Sequence, residues 1–179
     1  KEISTMKYEA KAWKETEGAC LRNFNEQAQI DSVNGALALR PQIEKIIDQI
    51  WEEGFDGIYF IGIGGTYASS MQVEVYMRGR SKLPVFVENA AEFLTTGNKK
   101  FTNKSVVIIS SVSGNTKEMV ELVDRVHEKG AKVFSFIDNP GTTLTQPDKQ
   151  DYLIVYPMNE QHTHMPTHRN LSQPELIHP

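Results

Sequence analysis

Short apolar runs alternate with longer amphipathic segments from residue 41 to residue 156, and this alternation limits the available folds more than any other feature. The run 58–63 is apolar at nearly every position, which is typical of a strand buried on both faces. The segment 116–129 instead spaces its apolar residues three and four positions apart, which predicts a helix with one buried face. Strands that alternate with helices form βαβ units, so we predict a parallel sheet with helices on both faces.

The pattern places five strands and four helices in this part of the chain. The strands are expected at 58–63, 85–87, 105–110, 132–137 and 152–156. The helices are expected to begin at Pro41, a residue suited to a first helical turn, and at residues 66, 90 and 116. In the helix 66–78, we expect Met71, Val75 and Met77 to face inward. The predicted fold is a doubly wound α/β domain whose five-stranded parallel sheet has the flavodoxin-like order 2-1-3-4-5.

The composition changes on either side of this unit. Residues 1–40 are polar and weakly periodic, and we expect a helical N-terminal arm there. Residues 41–157 form the predicted domain. Residues 158–179 contain four histidines, three prolines and few apolar residues, so we expect an irregular tail with a truncated or atypical end. Histidines clustered in an irregular tail rarely hold the rigid geometry that a metal requires, so we predict no metal site.

The charge and cysteine content exclude several classes of partner. The formal net charge is −4, which gives no electrostatic attraction to nucleic acid or anionic lipid. No apolar run approaches the roughly 20 residues needed to span a bilayer. One cysteine, Cys20, permits no internal disulfide, and we therefore expect a cytoplasmic protein. Any bound anion must be held locally by backbone N–H groups, hydroxyls and helix dipoles.

Two unusual loops follow the first and third predicted strands, which flank the switch point of the sheet, where ligands bind in such folds. The first loop is Gly62-Ile-Gly-Gly-Thr66, and the second is Ser110-Ser-Val-Ser-Gly-Asn-Thr116. Each opens into a helix and therefore offers free N–H groups at the positive end of a helix dipole. Helix capping explains one or two of the hydroxyls in the second loop, but not four of them clustered opposite a Gly-Gly loop. We predict that the two loops bind a phosphate group.

A dinucleotide site is the main rival interpretation. The dinucleotide fingerprint requires G-x-G-x-x-G after a strand. Gly62 and Gly64 match it, and Glu88 lies at a suitable distance to hold a ribose, but Tyr67 occupies the third glycine position. No G-x-x-x-x-G-K-[ST] motif is present, which excludes a nucleotide-triphosphate loop. We predict no cofactor.

Three segments resemble the ligand-site motifs of sugar isomerase (SIS) domains: Gly62-Ile-Gly-Gly-Thr-Tyr67, Asn89-Ala-Ala-Glu-Phe93 and Ser111-Val-Ser-Gly-Asn-Thr116. The third is the most specific, and the second is similar to that of fructosamine-6-phosphate deglycases and of the isomerase half of glucosamine-6-phosphate synthases. The resemblance implies that the ligand is a phosphorylated sugar or amino sugar. The substrate-binding residues implied are Gly64, Gly65, Thr66, Ser111, Ser113, Gly114, Asn115 and Thr116.

The resemblance also implies aldose–ketose isomerase or deglycase chemistry, in which a base moves a proton between adjacent carbons. Glu92 and Glu160 are the candidate acid/base residues; Glu92 can equally be a buried residue that holds its loop, and Glu160 a surface residue. The amino-sugar relatives carry two SIS domains and take most acid/base groups from the second, so we expect this chain alone to lack part of the set. The relatives build sites across subunits or domains, so we expect a homo-oligomer. A non-catalytic sugar-phosphate sensor and a nicotinamide-dependent oxidoreductase remain the alternatives.

Overall fold

The computed structural model describes residues 26–156. Predictions about residues 1–25 and 157–179, including the tail and Glu160, lie outside this range. In chain order the elements are α1 (Glu26–Ala38), α2 (Arg40–Glu53), β1 (Gly57–Gly62), α3 (Gly65–Arg78), β2 (Val85–Asn89), α4 (Ala90–Thr96), β3 (Ser105–Ser111), α5 (Lys117–Lys129), β4 (Lys132–Ile137), two 3₁₀ turns (Thr143–Thr145 and Pro147–Lys149) and β5 (Tyr152–Val155). The division into arm, domain and tail stays a prediction.

All five strands are parallel and follow the order β2-β1-β3-β4-β5. This confirms the predicted doubly wound α/β fold. The switch point lies between β1 and β3, where Ile61 pairs with Ile109. On the far side of β3, Ser111 pairs with Ile137 of β4. The loops that follow β1, β3 and β4 therefore leave the same edge of the sheet as neighbours.

The two faces of the sheet bury two separate apolar cores, because successive side chains of a strand point to opposite faces. In β1, Tyr59 and Ile61 join the core beneath α4 and α5, whereas Phe60 joins the core beneath α2 and α3. Helix α5 supplies Met119, Leu122, Val123 and Val126 to the first core, and α2 supplies Ile43 and Ile50 to the second. Full burial of such a side chain contributes about 1.5–3 kcal/mol.

The predicted inner face of α3 is wrong. Met71 and Val75 are 48% and 68% exposed, and the buried residues of the helix are Ser69 and Val73. Thr66, Ser69 and Val73 are spaced i, i+3 and i+7 and so share one face. Because Gly62 at the end of β1 lies tightly against Thr66 and Tyr67, the start of the helix is fixed and its rotation follows. Met77 is partly buried against the second core, as expected.

Within residues 26–156, no helix is long and apolar enough to cross a bilayer.

Candidate functional site

The loop after β1 depends on a close approach between Gly62 and the first turn of α3. A Cβ atom at Gly62 would lie 2.7 Å from Oγ1 of Thr66 and 2.8 Å from the backbone N of Tyr67. Only glycine fits at this distance. The approach brings the first N–H groups of α3 to the carboxyl end of β1, and the opening turn of a helix leaves such groups without intrahelical partners.

Thr66 uses its hydroxyl inside this loop. Its Oγ1 donates to the carbonyl oxygen of Ile63 at 3.0 Å and accepts from the N–H of Ile63 at 3.1 Å. The hydroxyl proton is therefore engaged, and the side chain holds the loop closed. Gly64 and Gly65, by contrast, are exposed and present backbone rather than side chain at the mouth of the loop.

The loop after β3 is held by Ser111, which is 4% exposed. Its Oγ accepts from the N–H of Gly114 at 3.0 Å, in a buried hydrogen bond. Gly114 has a φ of +65° and packs against Thr142 and Ile137. A left-handed φ favours glycine, and the contact leaves no space for a side chain. Ser111 and Gly114 thus form the inner wall of the loop.

Ser113 and Thr116 form the outer wall. Their hydroxyl oxygens lie 3.1 Å apart in an exposed pair, and Ser113 Oγ also accepts from the N–H of Asn115 at 3.3 Å. Thr116 is the N-cap residue of α5, yet its side chain makes no capping hydrogen bond. The hydroxyl pair therefore lies at the N-terminus of a 13-residue helix, beside N–H groups that no side chain of the cap satisfies.

The charges around this helix start also suit an anion. Lys117 is the first residue of α5 and is exposed. A cation in the first turn of a helix is disfavoured by the helix dipole. An anion placed at the same turn would interact favourably with both the dipole and the lysine. The arrangement of hydroxyls, N–H groups and one lysine can therefore bind a phosphate group.

The site loop also contacts a segment that the sequence analysis did not connect with it. Asn115 Oδ1 accepts from the N–H and from the hydroxyl of Thr143, each at 2.9 Å. Thr143 begins the 3₁₀ turn that follows β4. The Asn139-Pro-Gly141 sequence marks a turn, but no pattern in the chain links it to a residue on the preceding loop. Only the pairing of β3 with β4 brings the two loops together.

The two candidate acid/base residues differ in what the structure says of them. Glu92 lies in the first turn of α4, whose N-cap Asn89 accepts from the N–H of Ala91 at 3.0 Å. Glu92 is exposed, so the expectation of a buried, loop-holding glutamate is wrong. Its position after β2 puts it on the same edge of the sheet as the two loops. Glu160 lies outside the described residues.

Glu88, which a dinucleotide site would need for its ribose, already has a partner. Its Oε1 accepts from Asn98 Nδ2 at 2.7 Å. Tyr67, at the third glycine position of the fingerprint, lies in the first turn of α3. Both observations favour a phosphate site over a dinucleotide site.

Comparison with known families identifies the chain. The family model of the SIS domain matches residues 55–178, and the chain therefore belongs to the SIS domain family. This confirms the resemblance drawn from the three loop motifs. The match includes the whole of the described sheet and both loops of the candidate site.

Curated relatives of this chain include large aminotransferases. The chain is 29% identical over 103 residues to the isomerizing glutamine–fructose-6-phosphate aminotransferase of Fusobacterium nucleatum. It is 31% identical over 105 residues to that of Methanococcus maripaludis. These matches cover 57% and 59% of this chain but 17% of each relative. The chain thus spans less than a fifth of the length of the aminotransferases it matches.

Solved structures agree with the fold. A candidate phosphosugar isomerase of Salmonella typhimurium LT2 has a TM-score of 0.62 and 26% identity, over 82% of this chain and 43% of that one. An E. coli CFT073 protein solved in complex with a sugar phosphate has a TM-score of 0.60 and 16% identity, over 84% and 86%. The Vibrio vulnificus NanR protein complexed with ManNAc-6P has a TM-score of 0.66 and 16% identity, over 84% and 57%. At these identities the last two show the fold alone.

Proposed function

We propose that the chain binds a phosphorylated sugar or amino sugar, with the phosphate group at the start of α5. The observation that carries the proposal is the exposed pair of hydroxyls of Ser113 and Thr116, 3.1 Å apart. Neither hydroxyl is needed as a helix cap, because Thr116 makes no capping bond and Ser113 lies before the cap. Both can donate to phosphate oxygens beside the first N–H groups of the helix.

The remaining predicted residues divide by the direction of their polar groups. Thr66 and Ser111 use their hydroxyls to shape the two loops, and we propose that they act on the ligand through the loop backbone. Gly64 and Gly65 are exposed opposite the phosphate loop and would line the sugar side of the site. Gly114 and Asn115 connect the phosphate loop to the loop after β4.

The relatives support a sugar phosphate as the ligand class. The aminotransferases that match this chain act on fructose 6-phosphate by name. Two structural neighbours were solved with bound sugar phosphates, one of them ManNAc-6P. A hexose 6-phosphate, or the amino sugar derived from it, is therefore the ligand we propose.

The chemistry that fits this ligand is aldose–ketose isomerisation or deglycation of a ketosamine. Either reaction needs a base near two adjacent carbons of the sugar. Within the described residues, Glu92 is the carboxylate that we assign to this role; Glu160 is a second candidate beyond them. We propose that the chain alone completes only part of the acid/base set and that a further domain or subunit supplies the rest.

We also propose that the chain self-associates. Ile30, Val33 and Leu37 are spaced i, i+3 and i+7 on α1, and each is 44–51% exposed. Residues at this spacing share one face of a helix, and an exposed apolar face is typical of an association surface. Sedimentation at micromolar concentration tests this; a monomer there would contradict it.

A non-catalytic sugar-phosphate sensor is the second candidate. The observation that favours it is the contrast between a phosphate cradle with several donors and the one exposed carboxylate that we assign as a base at the same edge of the described sheet. Such a protein would bind the ligand without converting it, so a turnover assay separates the two functions.

Substitution of the two hydroxyls tests the binding site. Ser113→Ala and Thr116→Val each remove one donor to the phosphate, and a hydrogen bond to a charged group contributes about 1.5–3 kcal/mol. We expect the affinity for fructose 6-phosphate, measured by calorimetry, to fall roughly ten- to a hundredfold in each variant. Ser81→Ala is the matched control, because Ser81 Oγ accepts from Leu83 N–H at 3.1 Å in the same i, i+2 arrangement as Ser113. Unchanged affinity in both test variants would mean that these hydroxyls shape the loop but do not bind the ligand.

A further inference from the structure

We propose that Thr143, in the turn after β4, is a positioning residue for the phosphate-binding loop and acts through Asn115. The inference rests on the proposed function, since the loop it positions is the proposed phosphate site. It assigns to the segment 142–144 a role that its sequence does not announce.

The two loops are joined by hydrogen bonds that converge on one side-chain oxygen. Asn115 Oδ1 accepts from both the N–H and the hydroxyl of Thr143, each at 2.9 Å. An amide oxygen has two lone pairs, so these two bonds occupy it fully. Asn115 therefore does not offer this oxygen to a ligand. Its side chain holds the loop, although it stands between Ser113 and Thr116 in the motif.

A third hydrogen bond and a close contact extend the same connection. Leu144 N–H donates to the carbonyl oxygen of Gly114 at 2.9 Å, and Thr142 packs directly against the Cα of Gly114. Leu144 is fully buried in the core beneath α4 and α5. The segment is thus anchored in the core at one residue and bonded to the phosphate loop at its neighbours.

The connection fixes the part of the loop that carries the hydroxyl pair. Asn115 lies between Ser113 and Thr116, so a tether on its side chain restrains both neighbours. The hydroxyl pair itself is exposed, and without the tether the relative position of its two members would depend on the loop backbone alone. A loop held in its binding geometry before the ligand arrives loses less conformational entropy on binding. The tether should therefore raise affinity without contacting the ligand.

A double-mutant cycle on ligand affinity tests the proposal in the full chain. Asn115→Ala removes both bonds to Oδ1, and Thr143→Val removes the hydroxyl bond while its N–H is kept. We expect Asn115→Ala to weaken binding of fructose 6-phosphate roughly five- to tenfold and Thr143→Val less. The double variant should bind about as well as Asn115→Ala alone, because both changes disrupt the same contact. Thr143→Ser, which keeps the hydroxyl, should restore wild-type affinity.

The control is a tether of the same kind at the opposite edge of the sheet. The Thr102 hydroxyl donates to Asp56 across 46 residues, before β3 and β1 begin. Thr102→Val should leave the affinity unchanged, and thermal melting would show that every variant is folded at the temperature of the titration. Wild-type protein that does not bind fructose 6-phosphate would refute the proposed function, and this inference with it. Wild-type binding with unchanged affinity in Asn115→Ala and Thr143→Val, or with independent losses that multiply in the double variant, would overturn the inference alone.

Discussion

Alanine at Gly114 would place a methyl group where the phosphate loop has no room. The added Cβ would lie 2.0 Å from Oγ1 of Thr142, 2.7 Å from its Cβ and 3.2 Å from Cγ2 of Ile137. Neither neighbour moves freely. The Thr142 hydroxyl donates to the carbonyl of Asn139 at 3.0 Å, and Ile137 is fully buried between the sheet and α5.

The cost of Gly114→Ala has two parts. The φ of +65° is left-handed, which costs a residue with a Cβ about 1–2 kcal/mol. Overpacking against neighbours that cannot relax typically costs about 1–3 kcal/mol more. Together they predict a loss of roughly 2–5 kcal/mol in the free energy of unfolding. A domain of this size has a total stability of about 5–15 kcal/mol, so the variant should be clearly weakened.

Urea unfolding of the full chain, followed by circular dichroism, measures this loss. Gly130→Ala is the matched control. Gly130 has a left-handed φ of +83°, and the nearest atom to its added Cβ would be Asn103 Cβ at an ordinary 3.5 Å. That variant should lose only the backbone part, about 1–2 kcal/mol. If the two variants lose the same free energy, the close contact between Gly114 and Thr142 does not exist as described.

Two further predictions concern other parts of the described domain. Burial, with Asp56 and Glu88 nearby, raises the pKa of Tyr59 from 10.0 to about 12. Between pH 10 and 12 only the unfolded chain therefore loses this proton, so stability falls across that window; Tyr59→Phe should lose less stability there in urea unfolding, and an identical pH profile would contradict the assignment. In a coupled assay on fructose 6-phosphate, the chain alone should turn over well below about one per second, and Glu92→Gln should remove the remaining activity without weakening binding; faster turnover, at the usual enzyme range, would show that the acid/base set is complete.

The order of the sheet followed from the sequence because its cause is local. Each strand is a short apolar run bounded by turn residues, and helices between parallel strands restrict the topology to a few arrangements. The two site loops were predicted for the same reason. Both Gly62–Thr66 and Ser110–Thr116 lie directly between a strand and a helix, where parallel strands place their ligands.

What the sequence did not predict depends on contacts that appear only in the folded chain. The rotation of α3 is set by the fit of Gly62 against Thr66, so counting apolar residues chose Met71 and Val75 for the wrong face.

The same limit applies to the hydroxyls of the site. Those of Thr66 and Ser111 are equivalent in the sequence to those of Ser113 and Thr116, and only the folded loops show that the first two are engaged internally. The bond from Thr143 to the phosphate loop requires the pairing of β3 with β4, which brings residues 28 positions apart together.

Calorimetric titration with fructose 6-phosphate and with free fructose tests the central claim, that the hydroxyl pair at the start of α5 holds a phosphate. The two ligands share the sugar and differ in the group that the site is proposed to bind. Two or more hydrogen bonds to a charged group, at about 1.5–3 kcal/mol each, predict that the phosphate ester binds roughly a hundredfold tighter than the free sugar, or more. Equal affinities for the two would contradict the claim.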